Sequence, residues 1–414
     1  MNAMAATKTP VSSESAPSTV NELDKQAPPP FGHSMHKLFE FDPSYVNLNH
    51  GSYGSLPMPV RIACDKLATR IEANPDKFIR IECIHHWNEA RTRVAKLIGA
   101  ETDECVLVNN TTHGIATVLR NFEWHEGDVI IGMTTTYGAV SRGIMYLGDM
   151  PPHPQVSTFN LQFPTTHAEI LESWRKHIRR VTSEGNDLQQ TRKVVAVVDA
   201  IVSNPGVRLP WKEMVTICRD AGVLTVVDAA HSIGQEVDIN LSEAKPDFWV
   251  SNCHKWLFAK RGCAVLYVPK RNQHIIKSPI STPHNYLSPQ DEDYNGPQKF
   301  VRLFEWTGTI DYVPLLSINA ALDFRQWLGG EQKINELLTI LQSQMQFSAF
   351  MPHFTVLGQV NVELPIPGEI KYSDEINALL QNTLLIEVEH ISDFEVLANA
   401  FKDACQKVVK FARQ

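Results

Sequence analysis

The chain has 414 residues, 43% of them hydrophobic, enough for a large core in one or two domains. Its 38 Lys and Arg against 46 Asp and Glu leave a formal charge of −8 and no basic block, which argues against a nucleic-acid partner. No apolar run approaches the ~20 residues of a membrane span, so no membrane association is expected. The 7 scattered cysteines form no CxxC pair, which argues against a disulfide framework or zinc cluster and fits a reducing, cytoplasmic setting.

Residues 1–30 are rich in Ala, Ser, Thr and Pro, end in Pro28-Pro29-Pro30, and read as a disordered tail. A polar segment, Asn47-Leu-Asn49-His50-Gly51-Ser52-Tyr53-Gly54, precedes Pro57. From about residue 92, strands and helices alternate. An amphipathic helix closes over 93–98, a strand follows at 104–108 and a helix at 114–121. The next strand is expected at 128–132 and the next helix at 138–147. Residues 193–199 are a near-continuous β-branched run, the pattern of a strand buried on both faces. A helix over 211–220 ends before Gly222, and strands follow at 223–227, 248–251 and 264–268.

This alternation predicts an α/β fold: a large, mostly parallel sheet with helices on both faces, spanning 31–330. Beyond Leu328-Gly-Gly-Glu331 the composition changes, and 331–414 reads as a smaller, shortened C-terminal α+β domain. Its elements are a helix over 334–347, a strand over 356–364 and a helix opened by the capping box Ser392-Asp-Phe-Glu395. Ligands of parallel sheets bind beyond the carboxyl ends of the strands. Residues 109–113, 134–137, 199–204, 228–231 and 252–255 all fall at such ends, which points to one shared site.

Two of those ends carry a specific chemistry. Lys255 sits between Trp249-Val250 and Trp256-Leu257-Phe258, an apolar setting that lowers an amine's pKa and makes it reactive. Asp228 ends the strand before it. Alone, Asp228 reads more readily as the cap of a following helix, and Lys255 has an alternative reading as a surface lysine, against which its apolar neighbours stand. Together they are the two groups that pyridoxal 5′-phosphate (PLP) needs most: an amine for its aldehyde and a carboxylate for its pyridine nitrogen. The turn Asn109-Asn110-Thr111-Thr112-His113-Gly114 offers hydroxyls and backbone N–H groups at a helix start, and serves either as a plain cap or as a phosphate cradle. Tyr137 can stack on an aromatic ring or simply pack. The absence of GxGxxG and GxxxxGK[ST] leaves dinucleotide and P-loop sites unsupported, and the histidines lack metal-ligand spacing.

These segments together resemble the class V aminotransferases, a family of fold-type-I PLP enzymes. The branch they resemble includes isopenicillin N epimerase, hercynylcysteine sulfoxide lyases and the fungal loline-pathway cyclase. The carrying motifs are Asn47-Leu-Asn-His-Gly-Ser-Tyr-Gly54, Asn110-Thr-Thr-His-Gly114, Ser203-Asn-Pro-Gly206, Val227-Asp-Ala-Ala-His-Ser-Ile-Gly234, Ser251-Asn-Cys-His-Lys-Trp-Leu257 and Trp306-Thr-Gly-Thr309. The resemblance implies that Lys255 anchors PLP and shuttles protons. Asp228 would pair with the pyridine nitrogen, and His231 and Ser203 would lie near the ring hydroxyl. Thr112, His113, Asn252 and His254 would lie near the phosphate, and Tyr137 on the ring. Asn49 and His50 would face the amino-acid substrate. Thr307, Gly308 and Thr309 would reach the site of a second subunit, which implies a homodimer with shared active sites. The implied activity is C–S lyase or cyclase chemistry in secondary metabolism, with epimerisation and transamination as alternatives from the same branch. A non-catalytic PLP-fold binding protein is the alternative from another class.

One departure stands out. The family's C-terminal arginine for the substrate carboxylate is missing: no arginine lies between Arg325 and Arg413, and Glu387-Val-Glu-His390-Ile-Ser392 runs straight into the last helix. Another residue binds the carboxylate, the substrate is unusual, or the shortened domain impairs activity; these three readings stay open.

Overall fold

The computed structural model describes residues 26–42, 50–183, 192–204, 206–237, 239–292 and 299–336, with Leu23, Tyr45, Asn47, Tyr294 and Gly296 besides. The C-terminal elements expected beyond 336, most of the expected N-terminal tail, and Asn49 lie outside these residues. Within the range 23–30, Leu23 is buried and the carbonyl of Gln26 accepts the indole N–H of Trp327 at 2.7 Å.

Seven strands form one sheet: β1 (Cys105–Val108), β2 (Val129–Met133), β3 (Gln155–Phe159), β4 (Val194–Asp199), β5 (Leu224–Asp228), β6 (Phe248–Asn252) and β7 (Ala264–Tyr267). Their spatial order is β1-β7-β6-β5-β4-β2-β3. The pairs β3–β2, β2–β4, β4–β5 and β5–β6 are parallel, whereas β7 runs antiparallel to both β6 and β1. All strands but β7 therefore point the same way, and their carboxyl ends share one rim. Every residue of β1, β2, β4, β6 and β7 is buried, so both faces of the sheet are covered. The edge strand β3 is mostly exposed.

The helices follow from ordinary signals. Thr111–Asn121 is capped by the Asn110 side chain, which accepts the His113 N–H at 2.8 Å. Trp211–Asp220 buries Trp211, Met214, Val215 and Cys218 on one face and packs on β4 and β5. Val313–Trp327 packs on Met58–Ala73 and Cys83–Leu97. Trp174, Trp211 and Trp249 are among the largest fully buried side chains. Burying each is worth roughly 3 kcal/mol. The strand expected at 128–132 starts and ends one residue later, because Asp128 turns its carboxylate to the backbone N–H groups of His125 and Lys193.

Candidate active site at the Lys255 turn

The parallel register sets two acids side by side. Asp199, the last residue of β4, is the register partner of Asp228, the last residue of β5. Both are buried. Burial raises both carboxyls above the ordinary carboxylate range, because a low-dielectric setting penalises charge. Asp199 is raised to about 8, by burial first and then by the charge of Asp228. Asp228 is raised less, to about 6, because the Ala230 N–H at 3.0 Å and the Lys255 charge favour its ionised form. Asp199 also accepts a hydrogen bond from Thr135 Oγ1 at 3.2 Å. Burial and the charge of Asp228 thus favour the protonated form of Asp199, whereas the Ala230 N–H and Lys255 favour the charged form of Asp228.

Lys255 follows β6, three residues past its last residue, Asn252. Its Nζ lies 3.0 Å from His231 Nε2. Burial lowers the Lys255 amine to about 8, and Asp228 resists that fall. Burial also drives His231 down to about 3, helped by the charges of Lys255 and His254, so His231 is neutral.

The backbone of the turn is held carbonyl by carbonyl. His254 O presses against Gly54, where an added Cβ would sit 1.8 Å away. Lys255 O is bound by His50 Nε2 at 2.8 Å. Trp256 O accepts from Arg325 at 2.7 Å and lies 2.4 Å from where a Gly234 Cβ would be. Gly54 and Gly234 have φ of 69° and 86°, the left-handed region that glycine alone enters without strain. Arg325 is itself buried, pairs with Glu331 and also bonds Gly234 O. His50 is packed against the Trp256 and Phe258 rings and pushed down to about 4 by burial.

The phosphate side of the site is built on the first turn of Thr111–Asn121. The Asn252 side chain accepts the Thr111 N–H at 2.9 Å, which ties the end of β6 to this helix start. Gly114 packs against Val250, where an added Cβ would meet a methyl at 2.6 Å. Thr111 Oγ1 and His113 Nδ1 are buried without a hydrogen-bond partner. Orphaned polar atoms cost about 1–3 kcal/mol each, and an anion's oxygens at this helix start would satisfy them. Thr112 is exposed, so the buried hydroxyl is that of Thr111, one residue from the expected one. His254 Nδ1 donates to Cys263 O at 2.9 Å.

The remaining expected residues lie at the rim. Tyr137, 53% exposed, stands at the N-cap position of the helix Gly138–Asp149 without a side-chain capping bond, which leaves its ring open to cover a ligand. Ser203 is half-buried beyond β4. Thr307, Gly308 and Thr309 are in an open turn, with the preceding Trp306 O bound by Thr282 and Asn285. The structure thus brings Lys255, Asp228, His231, Asn252, His254 and His50 together around one turn, and Asn252 ties the helix start at Thr111, two residues before His113, to it. The sequence marked Thr111 only as part of the cradle turn and Asp199 only as the start of a strand-end segment, and gave no site role to Trp256 or Arg325.

The family model described as Aminotransferase class-V matches residues 55–147 and 160–365. Among similar proteins is the L-cysteine desulfhydrase-like protein lolT1 of Epichloe uncinata, 39% identical over 76% of this chain and 70% of that protein. Another is the hercynylcysteine sulfoxide lyase of Schizosaccharomyces pombe, 28% identical over 81% of this chain and 84% of that protein. Isopenicillin N epimerase of Streptomyces clavuligerus is 28% identical over 70% and 71%. Among solved structures, a lysine-to-alanine variant of C-DES with glycine linked to its PLP cofactor superposes with a TM-score of 0.69. It is 16% identical and covers 89% of this chain and 98% of that one. Cysteine desulfurase from Thermococcus onnurineus gives a TM-score of 0.64 at 17% identity, over 86% and 87%.

Proposed function

Because this chain belongs to the class V aminotransferase family and is a PLP-dependent enzyme of the fold-type-I architecture, we propose that it is a lyase that breaks the Cβ–S bond of a cysteine-type amino acid. The reading includes a cytoplasmic homodimer, as the family resemblance implies. The observation that carries it is the Lys255 amine, 3.0 Å from a neutral imidazole and held beside the buried Asp228. The choice of sulfur chemistry draws on relatives whose names state cysteine desulfhydrase-like or cysteine sulfoxide lyase activity.

PLP supplies an electrophilic aldehyde and an electron-withdrawing ring that stabilises negative charge at the substrate Cα. Lys255 would anchor it, Asp228 would hold the pyridine nitrogen protonated, and Tyr137 would cover the ring. Thr111, Thr112, His113, Asn252 and His254 would surround the phosphate. Lys255, whose amine is only weakly basic here, is suited to take the Cα proton near neutral pH, since a general base works best with a pKa close to the working pH. Asp228, buried at the end of β5, is suited to face a cationic ring nitrogen. Loss of the Cα proton and of the Cβ sulfur leaves a product that hydrolyses to one pyruvate and one ammonia per sulfur released.

The test is to offer L-cysteine, cystine and S-substituted cysteine sulfoxides with added PLP, in deuterated water. Pyruvate and ammonia in equal amounts are expected, from a species eluting at twice the 46.6 kDa chain mass. Lys255→Ala should cut turnover by at least about a thousandfold. Cα deuteration without pyruvate would make it an epimerase, and keto acid dependent on an amino acceptor an aminotransferase. A ring-closed product would make it a cyclase, and none of these products would leave a binding protein.

A further inference from the structure

His231 makes two hydrogen bonds, one through each ring nitrogen. Its Nδ1 faces Trp256 Nε1 at 3.2 Å, and its Nε2 faces Lys255 Nζ at 3.0 Å. Turning the ring over would set carbon atoms against both partners, so this orientation is the one that satisfies the site. An indole N–H only donates. His231 Nδ1 must therefore accept, and carries no proton. A neutral imidazole has one proton to place, and it must then sit on Nε2. That N–H points at Lys255, whose nitrogen can accept it only as a free amine, because an ammonium has no lone pair.

We propose that Trp256 is a positioning residue that locks His231 in the Nε2–H tautomer, and that His231 thereby presents a donor to Lys255 and favours its neutral, nucleophilic form. The reverse arrangement needs a lysine ammonium donating to Nε2, with the proton on Nδ1. Trp256 forbids it.

The surroundings agree. His231 is neutral, pushed down to about 3. Lys255 is faced by Asp228 from β5, by His231 from the turn after β5 and by His254 from its own turn. Arg261 lies near His254, and Asp199 beside Asp228. Of these groups, Asp228 favours the charged amine. The tautomer lock works with burial against it. Trp256 is itself fixed, since it is 9% exposed and its carbonyl is bound by Arg325.

The inference rests on Lys255 being the reactive amine, whereas the tautomer can be read without cofactor or substrate, so the two can fail separately. The first measurement is long-range proton–nitrogen correlation on protein labelled with ¹⁵N-histidine, without cofactor, at pH 7. The His231 signal is assigned by its loss in His231→Gln. The Nε2–H pattern is expected; an Nδ1–H or imidazolium pattern would overturn the proposal, whether or not Trp256→Phe folds. The second is the pH dependence of Lys255 modification by acetic anhydride, read by peptide mass in the protein and in Trp256→Phe. Phenylalanine keeps an aromatic ring and removes the N–H. His231 should then relax toward Nδ1–H, and the midpoint for Lys255 should rise by about one pH unit, slowing modification at pH 7 about tenfold. A purely packing role for Trp256 would leave midpoint and tautomer unchanged, and that result would sink the idea.

Discussion

Asp199 and Asp228 have the same residue type, the same register level and the same burial, yet their partners favour opposite protonation states. Burial raises both, but only Asp228 has an N–H and a nearby lysine to hold its negative charge. Asp199 has a single hydroxyl partner and the neighbouring charge against it. A raised carboxyl contributes stability that is fully present below its unfolded value, near ~3.9, and lost as pH rises through its folded value. For Asp199 that window runs from about 4 to about 8. Asp199→Asn mimics the protonated form at every pH. It should therefore raise the melting temperature of the cofactor-free protein more at pH 8.5 than at pH 5, and leave PLP affinity at pH 7 within about threefold. Asp228→Asn should instead weaken PLP binding and cut turnover by about a hundredfold or more. Thermal unfolding at the two pH values and a PLP fluorescence titration check both. An equal stabilisation at both pH values would mean Asp199 is ionised in the fold. The sequence showed Asp228 and Lys255 because a lone acid and a lone amine in apolar strand ends are conspicuous. It placed Asp199 at a strand end but hid its pairing with Asp228, since nothing in a linear string says that two strand ends are neighbours in register.

The turn over His254, Lys255 and Trp256 is the element on which the site depends, and its supports come from far along the chain. Gly54 and His50 lie about two hundred residues before it, Gly234 about twenty, and Arg325 about seventy after it. In the sequence the two glycines were visible only as members of motifs, and their reason is now physical: each meets a carbonyl oxygen of the turn. Gly54→Ala and Gly234→Ala should each cost about 3 kcal/mol, from the left-handed φ plus the clash with backbone that cannot move aside cheaply. Denaturant unfolding measures that cost. A loss under about 1 kcal/mol at both sites would mean the turn yields and is not rigidly seated. The helix expected at 114–121 starts at Thr111, inside the turn whose Asn and Thr content marked a cap, and which threonine is buried was not legible. That choice depends on how the Asn252 side chain draws the first N–H of the helix toward β6.

At the scale of the molecule, the fold was legible because a parallel sheet advertises itself in buried β-branched runs separated by helices. All strands but β7 share one direction, so five polar turns that are scattered in sequence arrive on one rim. The reversal at β7 was not legible, because a short apolar run reads the same in either direction. No helix among the described residues is long and apolar enough to cross a membrane. The segment expected to bind the substrate carboxylate lies beyond residue 336, and Arg325, the last arginine before it, is committed to Glu331 and to two carbonyls of the site. The chemistry of the whole site turns on Lys255 being the amine that holds PLP. The direct measurement is to incubate the full chain with PLP, reduce with borohydride, digest, and find the peptide that carries the pyridoxyl mass. The label should sit on Lys255, one per chain, with none in Lys255→Ala. A label on another lysine, or an unlabelled chain, would contradict the account.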